Sequence, residues 1–441
     1  MIPLSLAALL SAHGSAAGQP KTGESPLPSV ETWRLDNGLD VAYVGVDGSP
    51  TVAVQVWYRA GSKDEPKNRR GLARVFQHLL FQGSEHARPG AHGAYLAQVG
   101  GTASASGIED AMAVQNVVPT QYLDLVLKLE ADRMRGLEWR EEAVETALEL
   151  AKRDLRRQAA DPLKRAVRPF LELAYPNHPY AWEAIGDEED LGKIDLAQLE
   201  KFYDTYYQPN NALVVIVGGV DRATAEAAVK KHFGAIAKAA EPPRPADPNA
   251  VSPPTKPKRR ELSPGQVGVV VRGFHIPEAT DDDIYALQVL SIVLGNGSDA
   301  PLHRALVDNK KLALQTGATA IVREQPGLFL TFAAYADPSK GGEVEKGLQA
   351  QIDALASKPP SAARMTTARN AILADFIFRI ESADGLASQV GMSWILTRNP
   401  AQFITDVAEL EAVTAADIAR VAKTYLAASR SVTVVLPPGA R

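Results

Sequence analysis

The sequence predicts an α+β protein of two homologous domains, each a mostly antiparallel sheet covered by helices. Three observations predict it. The chain has 441 residues, more than one hydrophobic core usually serves. The stretch from Ala239 to Pro257 is crowded with prolines and poor in large apolar residues, which marks a linker. On either side of it the patterns run in one order: strand, helices, strand, long helices, then a final helix and strand. We therefore expect an N-terminal domain over 31–238, a Pro-rich linker over 239–260 and a C-terminal domain over 261–438, the two domains arising by duplication of one α+β unit.

In the first domain, Thr32 to Leu35 and Leu39 to Val44 read as a hairpin around Asn37-Gly38, a pair that suits a type I′ turn. Thr51 to Arg59 alternates Val52, Val54, Val56 and Tyr58, the pattern of a half-buried strand. A charged loop, Ser62 to Arg70, leads into a helix from Gly71 to Gly83. Pro89 to Val99 is a second helix, ended by Gly100-Gly101. Thr102 to Val118 reads as extended. Pro119 opens a long helix through Met134, and Glu141 to Ala160 another, stopped by Asp161-Pro162. Asp195 to Tyr207 is helical, Ala212 to Val220 is an apolar run typical of a buried strand, and Ala223 to Phe233 is a helix. In the second domain the expected strands are Val267 to Phe274, Leu328 to Tyr335 and Val432 to Leu436. The expected helices are Asp281 to Leu294, Leu302 to Asn309, Val344 to Ala356, Ala362 to Ile380 and Ala415 to Leu426.

Apolar content of 45% and charged content of 22% are ordinary for a globular protein. A net charge of −5 with no basic stripe beyond Lys256-Pro-Lys-Arg-Arg260 argues against a nucleic-acid partner; in its Pro-rich setting that run reads as solvated linker. The absence of cysteine excludes disulfides, thiolate metal sites and a cysteine nucleophile. The apolar run Ile2 to Leu10, then the Ala/Ser/Gly-rich Ser11 to Gly18, resembles a secretory signal without its basic start. It predicts a signal segment over 1–18, a flexible lead-in over 19–30 and a periplasmic or secreted protein, with a cytoplasmic one as the alternative. No stretch reaches the ~20 apolar residues of a membrane span.

The helix Gly71-Leu-Ala-Arg-Val-Phe-Gln-His-Leu-Leu-Phe-Gln-Gly83 carries the chemistry of interest. Leu72, Val75, Phe76, Leu79 and Leu80 form its apolar face. Arg74 and His78, four apart, share the other face with Gln77 beside them. Two histidines at this spacing could grip a metal, but an arginine offers no lone pair.

Several stretches together resemble the pitrilysin/insulinase-like (M16) peptidases, in the short bacterial and mitochondrial-processing-peptidase-like form. They are Gly71-Leu-Ala-x-x-x-x-His-Leu-Leu-Phe-Gln-Gly-Ser84, Gly100-Gly101, Leu129-Glu-Ala-Asp-Arg-Met134, His178-Pro-Tyr-x-x-x-x-Ile-Gly186, Phe202-Tyr-x-x-Tyr-Tyr-x-Pro-Asn-Asn-Ala212 and Val289-Leu-x-x-Val-Leu-Gly-x-Gly297. The resemblance implies the LuxS-metallohydrolase-like fold and two homologous domains facing each other across a chamber. It also implies a zinc held by His-x-x-Glu-His and a later Glu, with the Glu of the motif as base. In this chain those positions hold Arg74, Gln77, His78 and Leu155, the last followed by Arg156-Arg-Gln158 as the family pattern has it. Asp154, about 100° around the helix from Leu155, is not expected to substitute, and a shifted site at His86 and His92 is not favoured. The family's substrate strand would lie along Ser104-Ala105-Ser106-Gly107, without the usual Asn and Thr anchors. The Arg and Tyr lent by the second domain are replaced by Val307 and Leu314, which read as packing residues.

Loss of ligands, base and Arg/Tyr pair together predicts a chain that binds no metal of its own, zinc being expected only in an active partner. The leading reading is a non-catalytic subunit that pairs with an active peptidase chain, or with itself, and helps to form a chamber for a peptide or unfolded polypeptide. The alternatives are a self-standing peptide-binding or scaffold protein, and an active zinc endopeptidase with an atypical site.

Overall fold

The computed structural model describes residues 28–159, 161–244 and 251–439. The expected signal segment, the lead-in to residue 27 and linker residues 245–250 lie outside them. The first domain contains β1 (Glu31–Arg34), β2 (Asp40–Gly45), β3 (Thr51–Tyr58), α1 (Leu72–Leu79), α2 (Ala91–Gln98), β4 (Thr102–Gly107), β5 (Met112–Pro119), α3 (Leu123–Arg135), α4 (Glu141–Ala159), α5 (Pro162–Ala174), α6 (Glu188–Leu191), α7 (Leu196–Tyr206), β6 (Ala212–Gly218) and α8 (Arg222–Phe233). The second contains β7 (Lys258–Glu261), β8 (Gly268–Ile276), α9 (Asp283–Gly295), α10 (Pro301–His303), β9 (Gln315–Ile321), β10 (Gly327–Tyr335), α11 (Gly341–Ser357), α12 (Ala362–Ile380), α13 (Ala383–Thr397), α14 (Gln402–Ala412), α15 (Ala415–Tyr425) and β11 (Val432–Leu436).

The sheets carry the signature of duplication. The first has the order β1-β2-β6-β3-β5-β4, the second β7-β11-β8-β10-β9. Without β1 the two are the same sheet. In each, the first strand runs parallel to the last: Asp40 lies opposite Leu213, and Lys258 opposite Val432. The remaining pairs are antiparallel in both. Among the described residues no helix is long and apolar enough to cross a membrane.

Four expectations change. The first hairpin does not turn as type I′. Gly38 N–H bonds to Leu35 O, Gly38 alone has positive φ (+88), and Asn37 instead reaches Phe233 O and Ile236 O through Nδ2. The extended stretch 102–118 is a hairpin, β4 and β5. The end of the expected linker is strand β7, where Arg260 also pairs with Glu172 at 2.9 Å, so the basic run is not wholly solvated. The segment 302–309 winds mostly as a π-helical turn, Arg304–Asn309.

Two helices that the pattern did not announce, α5 and α13, hold the molecule together. Each sheet has its own helices on one face: α1, α3, α4 and α7 cover the first, and α9, α11 and α15 the second. The other face of the first sheet is covered by α13, whose Leu386, Ala387, Val390 and Ile395 pack on Ala53, Trp57, Leu213 and Val215. The other face of the second is covered by α5, whose Ala166, Phe170, Leu171 and Ala174 pack on Val269, Val271, Leu330 and Val434. Each domain thus closes the other's sheet. The fit at the two contacts is complementary. Gly391 on α13 leaves room for the Trp57 indole, and Gly273 on β8 leaves room for the Phe170 ring, since a Cβ at either glycine would overlap that ring. Gln55 on β3 anchors α13 through Nε2, to Asp384 Oδ1 at 2.8 Å and Ser388 Oγ at 3.0 Å.

Removing the ring in Phe170→Ala is expected to cost about 3–5 kcal/mol. Filling the groove in Gly391→Leu is expected to cost about 1–3 kcal/mol. Both domains should then melt together in urea; a variant that unfolds only one domain at the wild-type midpoint of the other would contradict the shared closure.

Candidate functional site

The loop before α1 sets the position of the helix. Glu65 is buried, and its carboxyl oxygens accept from the amides of Gly71 (2.9 Å) and Ala73 (2.8 Å), groups with no partner inside the helix. Gly71 has φ +107 and lies under Gly186 (φ +86); a Cβ on Gly186 would sit 2.5 Å from Gly71 Cα. Two motifs over a hundred residues apart are therefore halves of one backbone contact. Leu72, Ala73, Val75, Phe76 and Leu79 are buried, and Phe76 stacks on Tyr203 and Tyr207.

The polar face of α1 meets α4. Arg74 donates through Nη1 to Gln77 Oε1 at 2.5 Å, and its Nε lies 3.8 Å from Asp154 Oδ2. His78 Nε2 lies 3.0 Å from the same oxygen. Arg157 donates to Asp154 Oδ1 at 3.2 Å. A carboxylate only accepts, so Nε2 carries the proton and the free lone pair is on Nδ1, a tautomer assigned from the hydrogen-bond network. Burial lowers the His78 pKa below its ordinary value of 6.5, the bond to Asp154 opposes this, and the nearby cations Arg74 and Arg153 add to the lowering. The imidazole is neutral at pH 7. Burial also lowers the Arg74 pKa, with Asp154 opposing, but a guanidinium stays charged.

The residue facing His78 is thus Asp154, not Leu155. The expectation that Asp154 points away is corrected. Asp154 is buried, whereas Leu155 is partly buried against the first core. The angular offset along α4 is real, but α1 crosses α4 so that its polar face meets the Asp154 side of the helix.

These residues do not fit a zinc ion. Three lone pairs and an open position are needed. The His78 Nε2 is committed to Asp154, Leu155 has no donor atom, and Asp154 is already matched by cations. Arg74 would repel the ion by about 4 kcal/mol per unit charge pair at 4 Å in a half-exposed setting. Gln77 cannot serve as a base. His86 and His92 do not supply another site together. His86 bonds Asp132 at 2.6 Å on the surface, whereas His92 is buried against Asn116 and Arg133. Among the described residues one set of possible metal-ligand atoms converges, Glu85, His86 and Asp132. There Asp132 fastens the 84–86 loop through Ser84 Oγ and the His86 amide.

Ser104, Ala105, Ser106 and Gly107 lie on β4, which forms the outer edge of the first sheet. Ser104 Oγ donates to Gln115 Oε1 at 3.2 Å, and Gly107 ends close to Ala73 of α1. That end of the edge therefore lies beside the first turn of α1. Val307 packs against the second core, as expected of a packing residue. Leu314 does not: it is 61% exposed. Neither can donate a hydrogen bond from its side chain.

A second buried cluster escaped the sequence. Glu324, in the turn between β9 and β10, enters the first domain. It meets Lys63, Arg59 (2.7 Å) and Arg398 (2.5 Å), while Lys63 also bonds Asp110 at 2.9 Å. Tyr180 donates to Asp110 at 2.5 Å, and His178 bonds Gln325. Burial would raise the Glu324 carboxyl, but Lys63, Arg398 and Arg59 hold it well below the usual carboxylate range. The His178-Pro-Tyr180 motif is therefore part of a fastening between the domains. Its halves lie from 147 (His178 to Gln325) to 265 (Arg59 to Glu324) residues apart, and no local spacing signals them.

Known proteins resemble this chain in sequence and in fold. The family model described as "Insulinase (Peptidase family M16)" matches residues 41–187, and the one described as "Peptidase M16 inactive domain" matches 193–372. Among curated relatives, the zinc protease PqqE of Helicobacter pylori is 28% identical over 94% of both chains. A probable mitochondrial-processing peptidase subunit beta of Arabidopsis thaliana is 21% identical over 95% of this chain and 78% of its own length. Among solved structures, a protease from Helicobacter pylori superposes with a TM-score of 0.88 at 26% identity, covering 94% of this chain and all of that one. A protein from Pseudomonas fluorescens, titled as a peptidase M16 inactive domain, gives 0.82 at 19% identity, covering 93% and 98%, and bears on the fold alone.

His78 is expected to titrate below 6.5. Asp154→Asn should lower its pKa further, and Arg74→Ala should raise it, as read by NMR of the imidazole; a wild-type value above 6.5 would contradict the arrangement. Burial also pushes Glu65 up to about 8 from its ordinary 4.5, against the two amide bonds. Ionising it thus costs more in the folded chain than in the unfolded one, so its contribution falls from about pH 4.5 upward and levels off above about pH 8. Glu65→Gln should flatten that part of the thermal-stability profile; an unchanged slope would place the pH dependence elsewhere.

Proposed function

From the premise that this chain belongs to the M16 peptidase family, as a bacterial-sized member with both domains, we propose that it is a non-catalytic subunit. It pairs with an active zinc peptidase chain and contributes one wall of that enzyme's peptide-binding chamber. The observation that carries the reading is Arg74. Its guanidinium stands where the family's first metal ligand would, and the carboxylate beside it, Asp154, is shared by Arg74, His78 and Arg157. Such a site has its carboxylate paired with cations, without a metal. Gln77 in place of the base, and Val307 and Leu314 in place of the donors for the scissile peptide, support the same reading. The chain would act by binding and shape, holding a peptide or unfolded polypeptide along the β4 edge while the partner supplies zinc and base.

The apolar start of the sequence supports a periplasmic or secreted setting. One observation favours the alternative of a self-standing peptide-binding protein: both sheets keep a free edge, β4 and β9, that a peptide can join without a partner.

Co-expression with an intact His-x-x-Glu-His homologue from the same source tests the proposal. A stable heterodimer is expected, whose peptide hydrolysis is lost when the partner's base is mutated and unchanged by Gln77→Ala in this chain. A chain that remains alone, or with itself, at micromolar concentration beside that homologue would overturn the subunit reading.

A further inference from the structure

The last turns of α4 carry charge that the arrangement around His78 leaves unused. Lys152, Arg153, Arg156 and Arg157 crowd there, and Arg74 of α1 stands across from them. Two carboxylates answer these five cations. Glu149 pairs with Lys152 at 2.9 Å and lies 3.8 Å from Arg156. Asp154 is shared by Arg157, at 3.2 Å, and Arg74, at 3.8 Å. Arg153 is exposed and has no ion-pair partner among the described residues.

The excess is local, since the chain as a whole has a net charge of −5. The other glutamates of α4, Glu141, Glu142 and Glu145, lie about 12 Å or more along the helix axis from Arg153. The neighbouring α6 brings Asp187, Glu188, Glu189 and Asp190, and Arg168, Lys193 and Arg70 offset three of them. The cations also lie on a path. A Cβ at Gly107, the end of β4, would sit 3.7 Å from Ala73 O, and the next residue, Arg74, meets Asp154. A polypeptide held along β4 and leaving at Gly107 passes over Arg74 onto the end of α4. There Arg153 and Arg157, one helical turn apart, are about 6 Å apart along the axis. Alternate side chains of an extended polypeptide recur on one side every ~6.6 Å. Carboxylates on every second residue therefore match the two arginines in register.

We propose that the face formed by Arg74, Arg153 and Arg157 selects polypeptide segments that carry Asp or Glu on alternate residues. The inference rests on the reading of β4 as a peptide-holding edge and names the substrate class for it. Guanidinium and carboxylate pair in a fork geometry that fixes direction as well as charge. A basic segment meets three like charges with Asp154 alone to offset them. The cationic face is about one helical turn long, too short for the many phosphate contacts that hold a nucleic acid.

The test uses the full chain and two peptide probes, three repeats of Gly-Glu-Thr-Glu and three of Gly-Lys-Thr-Lys, each with an uncharged dye read by fluorescence anisotropy. At low salt the Glu peptide is expected to bind about tenfold tighter than the Lys peptide. The difference should fade at about 1 M salt, where charges are screened beyond ~3 Å. Arg153→Glu with Arg157→Glu should abolish the preference while the melting temperature stays near wild type, since both side chains are exposed. Lys423→Glu, on an exposed position of α15 in the second domain, shifts the net charge in the same sense and should leave the preference in place. Equal binding of the two peptides, or a preference that survives the double substitution, would overturn the proposal and leave the β4 reading intact. Binding of neither would overturn both, while pairing with an active chain is read separately by co-expression. Competition by a thymidine oligonucleotide of equal charge, as strong as that by the Glu peptide, would also overturn it.

Discussion

Each of the two sheets is closed by a helix that belongs to the other domain, and the rest of the structure depends on that exchange. A sheet with helices on one face leaves the other face apolar, and Ala53, Trp57, Leu213 and Val215 in the first domain would otherwise meet water. Helix α13 covers them, as α5 covers Val269, Val271, Leu330 and Val434. The buried pairing of Lys63, Asp110 and Glu324 then fixes one domain against the other at a second point. Breaking such a charge cluster by removing one partner is far more costly than never having built it. The domain arrangement is thus held by parts that do no chemistry.

That independence explains how the fold survives a changed site. The family motifs that persist are structural ones. Gly71 and Gly186 are one backbone contact, Glu130 and Arg133 bond each other under β5, and Asp132 ties down the 84–86 loop. The positions that differ are those where a zinc enzyme needs lone pairs and a base. Arg74 places a fixed positive charge beside His78, and Asp154 balances it. The substitution is coherent as a set, since a lone Arg74 without a nearby carboxylate would be a half-buried unmatched charge.

Much of the fold was legible in the sequence because its signals are local. Ala212–Gly218 and Val432–Leu436 are apolar runs, and the repeated order of elements revealed the duplication; Pro119, expected to open a helix, is instead the last residue of β5, with α3 beginning at Leu123. What escaped has physical reasons. Helix α13 is buried around most of its circumference, from Leu386 to Ile395, so it shows no polar stripe. Helix α5 begins at the same Asp-Pro that ends α4 and carries Pro169 inside it. Strand β9 is Gln-Thr-Gly-Ala-Thr-Ala-Ile, too small and polar to read as a strand. Of the site, Arg74, Gln77 and His78 were legible from spacing on one helix. The partner of His78 was not, because one residue along α4 changes which side chain faces α1, and only the packing of the two helices decides it.

The central proposal is that a charge-balanced arrangement of Arg74, His78 and Asp154 stands in place of the metal site within an intact scaffold. Zinc content measured after equilibrium dialysis tests it most directly, comparing the native chain with a variant carrying Arg74→His and Gln77→Glu, which leaves Asp154, the carboxylate facing His78, as the third ligand. The account predicts no stoichiometric zinc in the native protein and one zinc per chain in the variant. One zinc per native chain, lost on His78→Ala, would contradict it.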